Sequence, residues 1–182
     1  MNYHSWLKRL IYLCLRFREH VSLDTILFSG LKDRTLSGDY RMTDDERLLF
    51  PSEEWLAKYR EILNASKAYE DAAHDWEGDF VFEIEADETL DETVRFYMDL
   101  WHGKCRGARM AGPDEVAEFT YSGPAKNWRL LFAKKIDPIK GLMQRKFRLG
   151  KGNDMGKIMR YTKAAAELVE ATTKVPTRFP DE

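Results

Sequence analysis

Alternating apolar and polar side chains mark the middle of the chain. Phe80, Phe82 and Ile84 stand at every second position, with Glu83 and Glu85 in the opposite phase. A period of two is typical of a strand with one buried face, because successive side chains point to opposite sides. A slip of one residue would bury the carboxylates, so the pattern predicts both a strand and its register.

Four further segments show strand patterns, and they span residues 93–101, 104–110, 116–122 and 146–149. His102 and Gly103 separate the first two segments, and they predict a hairpin turn because glycine takes a positive φ at no steric cost. Gly123 and Pro124 are expected to end the third. The last segment is short and charged on its outer face, which suits the edge of a sheet.

Helical spacing of apolar residues, preceded by capping residues, predicts five helices. Ser52 caps the first, Pro138 suits the first turn of the fourth, and Asn153 or Asp154 caps the last. The four later helices are expected at residues 69–76, 126–135, 139–144 and 155–173. The last carries one apolar stripe, formed by Met155, Ile158, Met159, Thr162, Ala165, Ala166 and Val169. The predicted fold is α+β, a mostly antiparallel five-stranded sheet with helices packed on one face.

An amphipathic run precedes this domain at residues 5–21, where apolar residues at helical spacing lie beside Lys and Arg. The run is too short and too charged to cross a bilayer, and it lacks a secretory cleavage site. Three interpretations stay open: docking on the domain or on a second chain, an interfacial membrane helix, or sequence upstream of a native start at Met42. We divide the chain into a helical extension with linker, 1–48, and a domain, 49–182.

Three motifs in residues 133–161 carry a family resemblance. They are Lys-Ile-Asp-Pro, then Leu-Met-Gln-Arg-Lys-Phe-Arg-Leu, then Gly-Asn-Asp-Met-Gly-Lys-Ile-Met. Together they closely resemble the sterol-carrier-protein type of lipid-binding and lipid-transfer domain. The resemblance runs from about Leu49 to Phe179 and is strongest after Phe80.

The resemblance implies an apolar tunnel between sheet and helices, with the carboxyl-terminal helix as a lid. A methionine-rich apolar set would line it: Met98, Leu100, Phe119, Tyr121, Phe132, Ile139, Leu142, Met143, Phe147, Leu149, Met155, Ile158 and Met159. On physical grounds alone the same set could form an ordinary packed core, although methionine adapts well to variable partners. A dozen buried methylenes of an acyl chain would contribute on the order of 10 kcal/mol before ordering costs.

The net charge of −2 conceals a division along the chain. Residues 70–92 hold eleven acidic residues and no Lys or Arg, whereas residues 126–163 hold twelve basic residues against Asp137 and Asp154. This division indicates either a solvated surface or a basic face for anionic headgroups or a membrane. Candidates for such contacts are Lys126, Arg129, Lys134, Lys135 and Lys140. Nucleic acid is not an expected partner, because no known motif accompanies the basic run and the pI is about 6.1.

Catalytic and metal chemistry find little support. Cys14 and Cys105 form neither a disulfide framework nor a metal motif, which favours a reducing cytoplasm. The four histidines are scattered without ligand spacing, so neither a metal nor a cofactor is expected. His102 and Cys105 beside Asp99 suggest a nucleophile and base, but nothing in a hairpin turn places an oxyanion hole beside them.

We therefore predict a non-catalytic cytoplasmic protein that binds one apolar lipid, such as a fatty acid, acyl-CoA or sterol-like molecule, and transfers or presents it. Two alternatives stay open. One is a structural or interaction module with a filled core, which binds a partner or a second copy through its amino-terminal helix. The other is an accessory domain that presents a lipid to an enzyme.

Overall fold

The structure, a computed structural model, describes residues 47–182. The predicted amphipathic helix and nearly all of the linker lie outside the described residues, so the division at residue 48 stays a prediction. Leu48 and Leu49 already pair with Thr177 and Arg178 near the other end of the chain.

Seven strands form two sheets within the described part of the chain. They are β1 (Leu48–Leu49), β2 (Glu77–Glu85), β3 (Val94–Trp101), β4 (Lys104–Met110), β5 (Phe119–Pro124), β6 (Arg148–Leu149) and β7 (Thr177–Arg178). The main sheet has the order β4-β3-β2-β5-β6, and β1 pairs with β7. The predicted five-stranded sheet is confirmed, but it is mixed, because β5 runs parallel to β2. The chain leaves β4 at one edge and crosses the sheet before β5 begins, so β5 enters in the direction of β2.

The register of the central strands follows the alternation in the sequence. Phe80 lies opposite Met98 and Phe82 opposite Phe96 on the apolar face, whereas Glu83 pairs with Arg95 on the other face. The predicted register of β2 is therefore confirmed.

The predicted hairpin between β3 and β4 is also present. His102 and Gly103 both have positive φ, 46° and 73°, as two-residue hairpin turns require. A Cβ at Gly103 would come within 2.6 Å of the Glu70 carbonyl oxygen, so only glycine fits there. On the returning edge strand, the backbone of Cys105 exchanges two hydrogen bonds with the Asn64 side chain, which covers part of this edge.

Six helices cover the apolar face of the sheet in the described residues. They are α1 (Glu53–Ala65), α2 (Lys67–Ala72), α3 (Ala125–Phe132), α4 (Pro138–Met143), α5 (Met155–Arg160) and α6 (Thr162–Thr172). Ser52, Asp137 and Asp154 cap α1, α4 and α5 by accepting hydrogen bonds from backbone N–H groups. The cap residues read from the sequence therefore begin helices where expected.

The helix predicted at 69–76 spans Lys67–Ala72, and both predicted ends of one strand are wrong. The strand expected at 116–122 begins only at Phe119, and Val116 is 83% exposed. It also runs through Gly123 and Pro124, which pair with the end of β2 instead of ending the strand. Glycine is needed there, because a Cβ at Gly123 would lie 2.5 Å from the ring of Phe147.

The last predicted helix is broken at Tyr161 into α5 and α6. The Tyr161 ring packs edge-on against Trp76 at 4.9 Å, and its hydroxyl donates to the Asp75 carbonyl. The break rotates the two helical faces relative to each other. As a result the single predicted stripe is wrong: Thr162 and Ala166 are exposed, whereas α6 buries Val169 of the stripe together with Ala164, Ala171 and Thr172, which lie outside it.

Candidate functional site

An apolar cavity lies between the sheet and the helices. The volume of the cavity is about 100 Å³, counted as the space that the centres of water-sized molecules can reach. The atom-free space in and around it, including the open side, is about 860 Å³. Strands β2, β3 and β5 and residues from all six helices line it. A cavity thus lies where the sequence predicts a tunnel, and a continuous tunnel remains a prediction.

Six residues of the predicted tunnel set lie on the cavity wall: Met98, Leu100, Tyr121, Phe132, Ile139 and Ile158. Phe119, Leu142 and Phe147 are buried in the surrounding core without lining it. Leu149 packs half-buried at the edge of that core. Lipid contact by any of these residues remains a prediction.

Three methionines of the predicted set point away from the cavity. Met143, Met155 and Met159 are 71%, 43% and 41% exposed. Helix α4 buries Ile139 and Leu142, which turns the neighbouring Met143 outward. Helix α5 buries only Ile158, so its two methionines face solvent and are not part of the wall.

Aromatic side chains dominate the part of the wall that the sequence prediction missed. Trp55 and Tyr59 of α1 stack at 4.9 Å, and Phe82 stacks on Phe80 at 5.1 Å and on Phe96 at 5.0 Å. A signal was present, because Phe80 and Phe82 occupy the apolar face predicted for β2, and Trp55 and Tyr59 stand four residues apart in the helix predicted after Ser52. The prediction concentrated on the second half of the chain, where the family motifs lie.

Helix α6 supplies the opposite wall with smaller side chains. Ala164, Ala165, Leu168 and Val169 line the cavity there. The cavity is therefore walled by large aromatic rings on one side and by smaller aliphatic side chains on α6.

The wall carries no charged side chain within the described residues. Eight of its side chains carry an N–H or O–H group: Trp55, Tyr59, Tyr69, Trp76, Tyr121, Trp128, Tyr161 and Thr172. Seven of them donate to protein acceptors, and Tyr69 is the exception in the described part. Burial raises the pKa of Tyr59, Tyr69 and Tyr121 well above the ordinary tyrosine value, so these hydroxyls stay protonated.

Three of the five predicted headgroup cations form ion pairs with acidic side chains, and two of these three are lysines. Lys126 Nζ lies 3.2 Å from Glu88, and Lys134 Nζ lies 2.7 Å from Glu170. Glu88 belongs to the acidic segment, so the fold partly neutralises the charge division seen along the sequence.

The other three cations differ in their surroundings. Arg129 pairs with Asp181 and stacks over the ring of Phe179 at 4.5 Å, which holds the carboxyl terminus on α3. Lys135 and Lys140 are exposed and have no ion pair among residues 47–182. Of the predicted set, these two are the cations available for a headgroup.

The suspected nucleophile pair is not assembled. The His102 ring bonds to Glu77 at 2.9 Å on the surface, whereas the Cys105 thiol is buried and donates to the Gly107 carbonyl. Burial raises the pKa of Cys105 to about 11, the opposite of what a nucleophilic thiol needs. Residues 47–182 also contain no group of acidic, His or Cys side chains that could hold a metal ion.

The fold and the cavity define an α+β domain of the sterol-carrier type. The chain belongs to the SCP-2 sterol transfer family, whose model matches residues 59–166. This confirms the family indicated by the motifs in residues 133–161.

Solved structures agree with this assignment. A crystal structure of sterol carrier protein 2 is 32% identical with a TM-score of 0.63, and the match covers 68% of this chain and 97% of that one. A conserved protein from Thermus thermophilus, described as possibly a sterol carrier protein, is 29% identical with a TM-score of 0.64 over 72% of this chain and 92% of its own. Among curated proteins there is no significant match.

In the part of the chain that the structure describes, every helix is too short or too polar to span a membrane.

Proposed function

We propose that this chain binds one apolar lipid in the cavity and transfers or presents it without covalent chemistry. The observation that carries the proposal is the wall itself, which is apolar and uncharged and lies between a sheet and helices. Enclosed apolar cavities on the order of 150 Å³ stay dry and bind small apolar molecules such as benzene, so the chemistry of this wall suits an apolar guest. The similarity to sterol carrier protein 2 supports a lipid ligand.

The size of the cavity bears on how a lipid would enter. About 100 Å³ of room holds only part of a long acyl chain. We therefore expect α5 and α6 to shift outward around their break at Tyr161 when a chain enters. The small side chains on α6 make that wall the easier one to displace.

A basic and apolar surface lies on the outer side of α4. This helix lines the cavity with Pro138 and Ile139 and exposes Lys140 and Met143 to solvent. Lys140 and Met143 are three residues apart and therefore neighbours on the helix surface. An exposed methionine beside an unpaired lysine suits contact with an anionic membrane or headgroup.

Native mass spectrometry of the freshly purified full chain, followed by lipid extraction, tests the proposal. We expect a protein-bound mass that extraction identifies as a lipid in a one-to-one ratio. Bare protein that also fails to take up added fatty acid, acyl-CoA or sterol would contradict the proposal. That outcome would favour an interaction module with a filled core, which the small volume of the cavity also permits.

A further inference from the structure

The Tyr69 hydroxyl is the one side-chain N–H or O–H group on the cavity wall that lacks a protein partner among residues 47–182. The other seven donors on the wall are satisfied by carbonyl groups or by the Thr177 hydroxyl. The difference is specific to one position, since the three other tyrosines on the wall, Tyr59, Tyr121 and Tyr161, donate at 2.9 Å, 3.0 Å and 3.2 Å.

Tyr69 is held firmly in place. It lies on α2 with 1% of its surface exposed, and its backbone N–H donates to the Ser66 cap at 3.2 Å. Its hydroxyl is not among the fully enclosed polar atoms that lack a partner, so it is open to the cavity that Tyr69 lines. A molecule in the cavity can therefore accept a hydrogen bond from it.

The surroundings define the acceptor. No cationic side chain lines the described cavity, so a carboxylate or phosphate would lose its hydration there without a counter-charge. Burial also keeps the Tyr69 hydroxyl protonated, which makes it a donor at every physiological pH. An uncharged oxygen is the acceptor that this environment favours.

We infer that the Tyr69 hydroxyl donates a hydrogen bond to an uncharged oxygen, a hydroxyl or a carbonyl, of the lipid in the cavity. The inference rests on the proposed function and narrows its ligand class. It selects oxygenated neutral lipids over plain hydrocarbons and places any charged headgroup outside the cavity.

A cycle of two ligands and two proteins tests this inference. Dodecan-1-ol and n-dodecane would each displace N-phenyl-1-naphthylamine from the full chain and from Tyr69→Phe. For each protein we take the ratio of the dissociation constants of the two ligands. The different solubilities of the ligands affect this ratio equally in both proteins, so they cancel when the two ratios are compared. We expect the preference for the alcohol to fall about 2- to 12-fold in Tyr69→Phe, as a net hydrogen bond of about 0.5–1.5 kcal/mol implies.

Tyr97→Phe is the matched control, because the Tyr97 hydroxyl bonds to Asp79 on the other face of the sheet. It should keep the wild-type preference. An unchanged preference for the alcohol in Tyr69→Phe, with both ligands still bound, would overturn the inference. It would mean that water, and not the ligand, accepts the hydrogen bond of the Tyr69 hydroxyl. The proposed function would then still stand. Failure of the probe and both ligands to bind wild-type protein would overturn both.

If Tyr69→Phe does not fold, infrared spectra of dodecan-2-one bound to the wild-type chain decide the question. We expect its carbonyl stretch at a lower frequency than in hexane. An unshifted band would contradict the inference.

Discussion

The Tyr59 hydroxyl donates a 2.9 Å hydrogen bond to the Leu168 carbonyl and thereby ties α1 to α6 across the wall of the cavity. Both residues line the cavity. The bond therefore fixes the helix that we expect to move when a lipid enters.

Tyr59→Phe should weaken this tie. We expect a loss of about 1 kcal/mol in the free energy of unfolding, because one buried hydrogen bond disappears. Release of a bound fluorescent fatty acid should become faster, since α6 is held less firmly. Urea unfolding and stopped-flow release measure the two effects. Tyr97→Phe, which also removes a hydroxyl bonded to the protein, should leave the release rate unchanged; equal acceleration in both variants would argue against a gating role for α6.

Two neighbouring alanines on α6 offer a matched test of where the ligand lies. Ala165 lines the cavity, whereas Ala166 is exposed on the same helix. Ala165→Phe should fill the cavity and lower lipid binding at least 10-fold, at a cost of about 1–3 kcal/mol in stability. Ala166→Phe should bind like the wild type. Calorimetric titration with one fatty acid measures both variants, and undiminished binding by Ala165→Phe would place the ligand elsewhere.

Much of the fold could be predicted from local patterns. The alternation around Phe82 gave the register of β2, and Asp154 gave the start of α5, because both depend on neighbours in sequence. The parallel pairing of β5 could not be predicted, since it depends on how the chain crosses the sheet. The break at Tyr161 escaped prediction for a similar reason: it is stabilised by Trp76, which is far away in sequence.

The wall of the cavity was predicted in part. Met98 and Ile158 were expected because helical and strand periodicity assigns them to inner faces. Met143 and Met159 were expected as members of the same apolar set but face solvent, because the short helices α4 and α5 bury only one or two side chains. Tyr69 gave no sequence signal, since its missing partner shows only in three dimensions.

The Cys105 thiol should be nearly inert. Its pKa of about 11, raised by burial from 9.0, leaves roughly 100 times less thiolate at pH 8. In a Cys14→Ser variant, native protein should react with a disulfide reagent at least 100-fold more slowly than unfolded protein. The rates are measured by absorbance with and without denaturant. Fast reaction of the native thiol would revive a catalytic interpretation of Cys105.

The strand β5 passes so close to the Phe147 ring that only glycine should be tolerated at position 123. A Cβ at Gly123 would lie 2.5 Å from the Phe147 ring and 3.0 Å from the Lys146 carbonyl oxygen. Gly123→Ala should therefore lower the free energy of unfolding by about 1–3 kcal/mol. Gly112→Ala is the control, because nothing lies within 4 Å of its Cβ position. Urea denaturation measures both, and equal stability of the two variants would show that Phe147 can yield.

Lys135 and Lys140 should contribute most of the affinity of this domain for anionic membranes. Lys135 and Lys140 have no ion pair within the described residues, and each basic residue near such a surface contributes about 1 kcal/mol. Reversing both charges with Lys135→Glu and Lys140→Glu should lower binding of the full chain to phosphatidylserine vesicles by at least 25-fold at low salt. Lys58→Glu makes the same kind of change on α1, where Lys58 pairs with Glu61, and should have little effect. Flotation with vesicles measures all variants. An equal loss of binding free energy per reversed charge in both variants would mean that net charge alone drives binding, and an unchanged double variant would assign the membrane contact to another surface.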